Sequence, residues 1–227
     1  MCGRFVSSTP VSTLAAIFDA EVGDVSLRPS WNVAPTTRIA GIREHQGHRR
    51  LDTFVWGLMP AWRRSTPAPL INARAESVTE KPSFRGLVPQ QRCVVPMTGY
   101  YEWLTTKEAK RKIPYFISRV DGAPLAVAGL WDVGDETSGG LPRACVITVA
   151  ANPSLSEIHD RMPAILTRDS LEAWLEGDAI EAVTALRPLE EGILGAVEVS
   201  TKVNSVRNND PTNVDPVAGQ LPDSLFD

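Results

Sequence analysis

Within residues 10–20, apolar side chains at positions 11, 14, 17 and 18 fall on one face of a 3.6-residue repeat. That spacing predicts a first helix, with Thr9 or Ser12 as its cap. The pattern then changes to short runs of β-branched and aromatic residues: TRIAGIR at 37–43, LDTFVWG at 51–57, RCVVP at 92–96 and YYEW at 100–103. PYFISRV at 114–120, PLAVAGLW at 124–131 and RACVITVA at 143–150 continue it. His45-Gln46-Gly47, Asp121-Gly122 and Ser138-Gly139-Gly140 supply turns between the runs, so the middle of the chain reads as mostly antiparallel sheet. Helical spacing returns at 169–176, with Asp169 as cap and Gly177 as stop, and at 178–186 before Pro188. The last 20 residues are rich in Pro, Asn and Asp and predict a tail with little structure of its own. These elements make an α+β fold: a curled, mostly antiparallel sheet or barrel with peripheral helices. The expected organisation is one domain over 1–210 and a loosely structured tail at 211–227.

A chain of 227 residues with six tryptophans and 43% hydrophobic residues has enough apolar surface for one sizeable core. The polar start Met1 to Arg4, and the lack of any apolar stretch near the roughly 20 residues a bilayer span needs, predict neither secretion nor membrane insertion. Three cysteines, at 2, 93 and 145, are too far apart for a CxxC motif and odd in number, which suits a reducing intracellular compartment. Charge changes the picture more. The net charge is −4, yet residues 1–120 hold 17 Lys+Arg against 9 Asp+Glu and the rest hold 6 against 18. Such asymmetry permits a basic face for a phosphate backbone, and equally a solvated surface with an acidic tail.

Cys2 follows an initiator methionine, and its small side chain favours excision of Met1. The product is a 1,2-aminothiol. Its α-amine, with a pKa of about 7.7 to 8.0 against about 10.4 for lysine, is a nucleophile near neutral pH. It can form an imine with an aldehyde, and the neighbouring thiol can close a thiazolidine. Taken alone, position 2 also fits an incidental cysteine.

WNVAP at 31–35 is a proline-fixed turn that can present a side chain rigidly. LINARAE at 70–76 sets Asn72, Arg74 and Glu76 in a polar cluster, where Asn72 can orient a thiol or sugar hydroxyl and Arg74 can clamp a phosphate. A helix cap and a surface ion pair explain it equally well. In GYYEW at 99–103, period-2 alternation puts Glu102 on the face of Tyr100 and sets Tyr101 and Trp103 on the other. A carboxylate among such groups can pass protons. In IHDRMP at 158–163, His159 sits in a short rigid turn and can donate a proton to a sugar oxygen, or can be structural. His45 and His48 lie in a polar turn with no third ligand, so no metal and no cofactor are expected.

MCGRF, WNVAP, WGLMP at 56–60, INARAE, GYYEW and IHDRMP, in this order and spacing over roughly residues 1–210, resemble the SRAP family of abasic-site processing proteins. The resemblance implies a curled antiparallel β-structure with a positively charged groove for single-stranded DNA containing abasic sites. It implies Cys2 as the crosslinking nucleophile, with Asn72, Glu102 and His159 as its partners. By the same matching, Arg4 and Arg74 hold flanking phosphates, Asn32 shapes the pocket, and Trp62 stacks on or wedges beside a base. Release of the first residue, reversal of the crosslink and lyase activity on abasic DNA are implied too, and a monomer is expected. Two rival readings differ in class. One is an N-terminal-cysteine amidohydrolase, since glutaminases beginning Met-Cys-Gly expose the same thiol; the other is a noncovalent single-stranded DNA-binding module in which Cys2 has no role.

Overall fold

In the computed structural model, which describes residues 2–60, 68–106 and 112–217, the chain begins with β1 (Phe5–Ser7), α1 (Val11–Phe18), β2 (Ala20–Val22), β3 (Ser30–Val33), β4 (Arg38–His45) and β5 (His48–Trp56). It continues through β6 (Asn72–Arg74), β7 (Arg92–Met97), β8 (Gly99–Thr105), β9 (Lys112–Arg119), β10 (Leu125–Asp132) and β11 (Arg143–Ala150). The last elements are α2 (Pro153–Ser156), β12 (Arg161–Pro163), α3 (Arg168–Leu175), α4 (Ala179–Thr184) and β13 (Leu194–Glu198). The seven β-rich runs read from sequence correspond to β4, β5 and β7 to β11. Between β4 and β5, Gln46 and Gly47 take φ of 55° and 82°, the left-handed pair that a two-residue hairpin requires.

Two sheets share the strands. The larger runs β12-β11-β10-β7-β4-β5-β2, with β6 beside β11. Its neighbours are antiparallel except where β5 and β6 lie parallel to β11 and β2 parallel to β5. The β5–β11 pairing sets Val55 opposite Arg143 and Trp56 opposite Ala144. That contact closes β11, β10, β7, β4 and β5 into a ring, the barrel form of the expected curled sheet, and closure removes exposed strand edges. The smaller sheet runs β13-β9-β8-β1-β3 and is antiparallel throughout.

The main core fills the ring and the helices around it. Trp56 and Trp174 are fully buried, and each indole N–H finds a carbonyl: Ile71 at 3.1 Å and Cys93 at 2.8 Å. A second, small core lies on the other face of the smaller sheet. There Val6, Tyr101, Phe116, Val199 and Val203 pack with Trp31, Trp103, Val197 and Val214. Tyr100 points into the main core and Tyr101 and Trp103 into the small one, as the alternation in GYYEW requires.

Three local expectations are corrected. Helix α1 has Pro10 at its N-cap and no side-chain cap, because Thr9 is hydrogen-bonded at 3.2 Å to Thr98 instead. Helix α3 is capped by Thr167 rather than Asp169: Thr167 and Ser170 exchange side-chain-to-backbone bonds in a reciprocal box, which leaves Asp169 in the first turn. Residues 211–217, the described part of the expected loose tail, are ordered. Asp210 caps a 3₁₀ turn at Pro211–Val214, Asn213 is buried with its amide on the Asn208 carbonyl, and Val217 donates to the Glu198 carbonyl. A segment rich in Asn, Asp and Pro satisfies its backbone through its own side chains and docks Val214 on the small core.

Candidate active site

The start of the chain is held within the smaller sheet, where β1 lies between β8 and β3. Strand β1 pairs with β8, Phe5 opposite Tyr100, and Tyr101 N–H donates to the Arg4 carbonyl at 2.9 Å. Phe5 packs edge-on against Trp56 at 5.0 Å, which locks β1 onto the ring. Cys2, just upstream, is therefore completely buried. Asn72 reaches it from β6, where it pairs with Val146 of β11, and its Nδ2 donates to the Cys2 carbonyl at 2.9 Å. The Asn72 Oδ1 is buried without a hydrogen-bond partner among the described residues. Burial, and then the nearby Glu102 carboxylate, push the Cys2 thiol up, so it is held as S–H.

Glu102 stands on β8 and is only 4% exposed. It lines a half-open cavity of about 460 Å³ together with Trp103, Thr105, Lys112, His159 and Asn204. His159 enters from the turn between α2 and β12. The Arg161 backbone N–H donates to its Nδ1 at 3.0 Å, which in neutral imidazole leaves the proton on Nε2. The exposed Asp160 carboxylate stands 2.8 Å from the same nitrogen. One nitrogen cannot serve both contacts in one state: a bare Nδ1 accepts from Arg161, and an Nδ1–H donates to Asp160. The turn itself is pinned by Arg161, which forks onto Glu76 at 2.6 and 2.9 Å and donates to the Thr148 carbonyl. That pairing holds Glu76 below its usual carboxylate range.

Four of the residues singled out in the sequence are thus linked: Asn72 by its hydrogen bond to Cys2, Glu102 by its charge acting on the Cys2 thiol, and Glu102 with His159 by one cavity. A larger cavity, of about 1140 Å³ between α1, the start of β5 and α3, contains none of them. Arg74 ends β6, is exposed, and makes no side-chain hydrogen bond to a described residue. Arg4 and Asn32 have internal partners. Arg4 Nη1 donates to Asn32 Oδ1 at 2.7 Å and to the Val203 carbonyl at 2.9 Å. Asn32 is 5% exposed, and its Nδ2 donates to the carbonyls of Val203, Ser205 and Asn208. Trp62 lies outside the described residues. Sequence reasoning missed Asn204, Thr105 and Lys112; Asn204 sits in VNSVRNN, a polar stretch with no periodicity to mark it. Among the described residues, no three His, Cys, Asp or Glu side chains gather as a metal site would need, and no helix is long and apolar enough to cross a membrane.

Residues 1–206 match the family described as SOS response associated peptidase (SRAP). The chain belongs to the SRAP family. It is 34% identical over 221 residues to abasic site processing protein YoqW of Bacillus subtilis strain 168, covering 93% of this chain and 97% of that one. It is 32% identical over 231 residues to abasic site processing protein YedK of Escherichia coli K12, covering 96% and 100%. A solved structure from Bacteroides thetaiotaomicron superposes with a TM-score of 0.80 at 30% identity, covering 95% of this chain and all of that one. The closed ring with its smaller sheet is therefore the SRAP fold, and the Cys2–Asn72–Glu102–His159 grouping sits within the matched residues.

Proposed function

We propose that this SRAP protein, once Met1 is removed, captures abasic sites in single-stranded DNA through a covalent thiazolidine on Cys2. The observation that carries the reading is the setting of Cys2: a buried residue at the chain's start, its carbonyl held by Asn72 and its thiol within electrostatic reach of Glu102. Relatives named as abasic site processing proteins supply the substrate class. The basic half of the chain suits its phosphates.

In the order of events, His159 Nε2–H gives its proton to the sugar ring oxygen as the ring opens, and the C1′ hydroxyl proton released in forming the aldehyde returns to the imidazole. The free α-amine of Cys2 attacks that carbon. The α-amine, whose ordinary pKa lies near neutral, is the nucleophile of the first step, and the thiol is kept for ring closure. The buried Oδ1 of Asn72 is the acceptor open to the amine. Glu102 moves the protons as the carbinolamine loses water to the imine. The thiol then adds to the imine carbon and its proton passes to the nitrogen, so the net reaction releases one water. Lyase activity follows from the same imine, by loss of a proton from the adjacent carbon and departure of the 3′ phosphate. The peptide bond between Met1 and Cys2 is the substrate we assign to the peptidase of the family description.

Intact mass of the purified protein, after incubation with an oligonucleotide carrying one abasic site, tests the reading. The protein should lack Met1, gain the oligonucleotide less one water, and keep it through denaturation without borohydride. A variant with residues retained before Cys2 has only a peptide nitrogen there and should form no adduct. An adduct at undiminished rate in that variant overturns the reading.

A further inference from the structure

The rim of the Glu102–His159 cavity is made of donors that the proposed chemistry does not use. Thr105 and Lys112 face each other across β8 and β9, both exposed. Asn204 completes the rim, and its orientation is fixed. Trp103 Nε1–H lies 2.8 Å from Asn204 Oδ1, and an indole nitrogen can only donate. The amide must therefore turn its oxygen to Trp103, which leaves its NH₂ group with no partner among the described residues. The loop carrying Asn204 is strapped down as well. Asn32 holds the carbonyls of Val203, Ser205 and Asn208, Arg4 holds Val203 a second time, and Asn208 Nδ2 returns to the Lys202 carbonyl. A preset amide, a cation and a hydroxyl, all donors at the mouth of one cavity, match a group that only accepts hydrogen bonds and carries negative charge.

We propose that Asn204, Lys112 and Thr105 form a subsite for a phosphodiester flanking the lesion, with Trp103, Asn32 and Arg4 as positioning residues that hold Asn204 in place. This rests on abasic DNA being the ligand, yet needs no covalent step. Arg4 and Asn32 then serve DNA from inside the protein, by fixing the loop, rather than by touching a phosphate.

The probe is a single-stranded oligonucleotide with one tetrahydrofuran residue, which has no aldehyde and so reports binding alone. Affinity is measured across a salt series. Lys112→Gln should weaken binding about five- to tenfold at low salt and make the log–log salt slope shallower by about 0.7, the loss of one phosphate contact on a single strand. Asn204→Ala should weaken binding by a similar factor with the slope unchanged, and Asn204→Asp should weaken it further by repulsion. Trp103→Phe, which keeps a ring and loses the N–H, should reproduce Asn204→Ala and add nothing to it in the double variant. Replacing one flanking linkage by an uncharged methylphosphonate, 5′ in one probe and 3′ in another, should abolish the Lys112→Gln effect in one of the two. Wild-type affinity and slope in Lys112→Gln and Asn204→Ala, or a Lys112 effect that survives both methylphosphonates, would overturn the subsite. If instead wild type binds this probe as described and forms no adduct with a true abasic site, the covalent reading fails and the subsite stands.

Discussion

The closed ring and the smaller sheet each contribute cysteine to the main core, and comparing them separates burial from the groups that surround a thiol. Cys93 on β7 and Cys145 on β11 are fully buried in the ring. Burial raises both thiols, Cys145 to about 12. Cys2, before β1 of the smaller sheet, is just as buried and its thiol is raised too. Exposure and titration therefore do not distinguish the three. What differs is the company: Cys2 alone has the chain terminus, a side-chain amide on its carbonyl and a carboxylate whose charge reaches its thiol. The smaller sheet carries Cys2 and Glu102, and the larger sheet brings Asn72 on β6 and His159 from the turn before β12 against them.

The largest effect should come from exchanging roles across that divide. Cys2→Ala keeps an α-amine and loses the thiol, so it should retain DNA binding, lose the denaturation-resistant adduct altogether, and yield a stable amine only when borohydride traps its imine. Cys93→Ala and Cys145→Ala should both still crosslink. A stable adduct from Cys2→Ala would move the nucleophile elsewhere. Next in size, Glu102→Gln should slow crosslinking about 10²-fold, the scale for losing an acid–base group, with noncovalent affinity nearly unchanged. Single-turnover rates at saturating DNA read this directly, and an unchanged rate would remove Glu102 from proton transfer.

Smaller, and spread between stability and binding, is the effect of Asn32→Ala. It strips three carbonyls and the Arg4 guanidinium of a partner, so unfolding free energy in urea should fall by about 1 to 3 kcal/mol. If Asn32 acts through the loop, its binding defect should be no worse when Asn204→Ala is added. Additive defects would give Asn32 a direct contact. This residue also marks the limit of what the sequence disclosed. Period-2 alternation placed Tyr100, Tyr101 and Trp103 on their faces, and the β-rich runs located the strands of the ring, because both follow from local periodicity. Parallel closure of β5 on β11 and the strap from Asn32 to Asn208 join residues far apart in sequence, which no local pattern encodes. The buried Arg92 shows the same: its guanidinium is spent on carbonyls at the end of α3, among them Gly177 at 2.6 Å. Motif matching put Arg4 and Asn32 near DNA; their hydrogen bonds to each other and to the 203–208 segment lie beyond any local pattern.

The smallest effect tests whether the ring thiols are as inert as their packing implies. The folded chain keeps the Cys145 proton up to about pH 12, while the unfolded chain gives it up near its usual value of 9. A raised folded-state value means that this contribution is complete below about pH 9 and is lost as pH climbs toward 12, at roughly 1.4 kcal/mol per pH unit for one thiol. Cys145→Ala removes the titrating group along with some packing. At pH 7 the variant should be less stable than wild type by about 1 kcal/mol, the cost of a small cavity. As pH rises from 9 to 10.5 wild type loses stability that the variant does not, so the gap should close and then change sign. Urea unfolding of both proteins at half-unit steps of pH measures it, and the shared ionisation of tyrosines and lysines cancels in the difference. Parallel curves would mean that the thiolate is tolerated inside the ring. Burial would then not hold Cys145 as a thiol, and the inertness expected of the ring cysteines would have to come from the lack of a reactive neighbour rather than from their protonation.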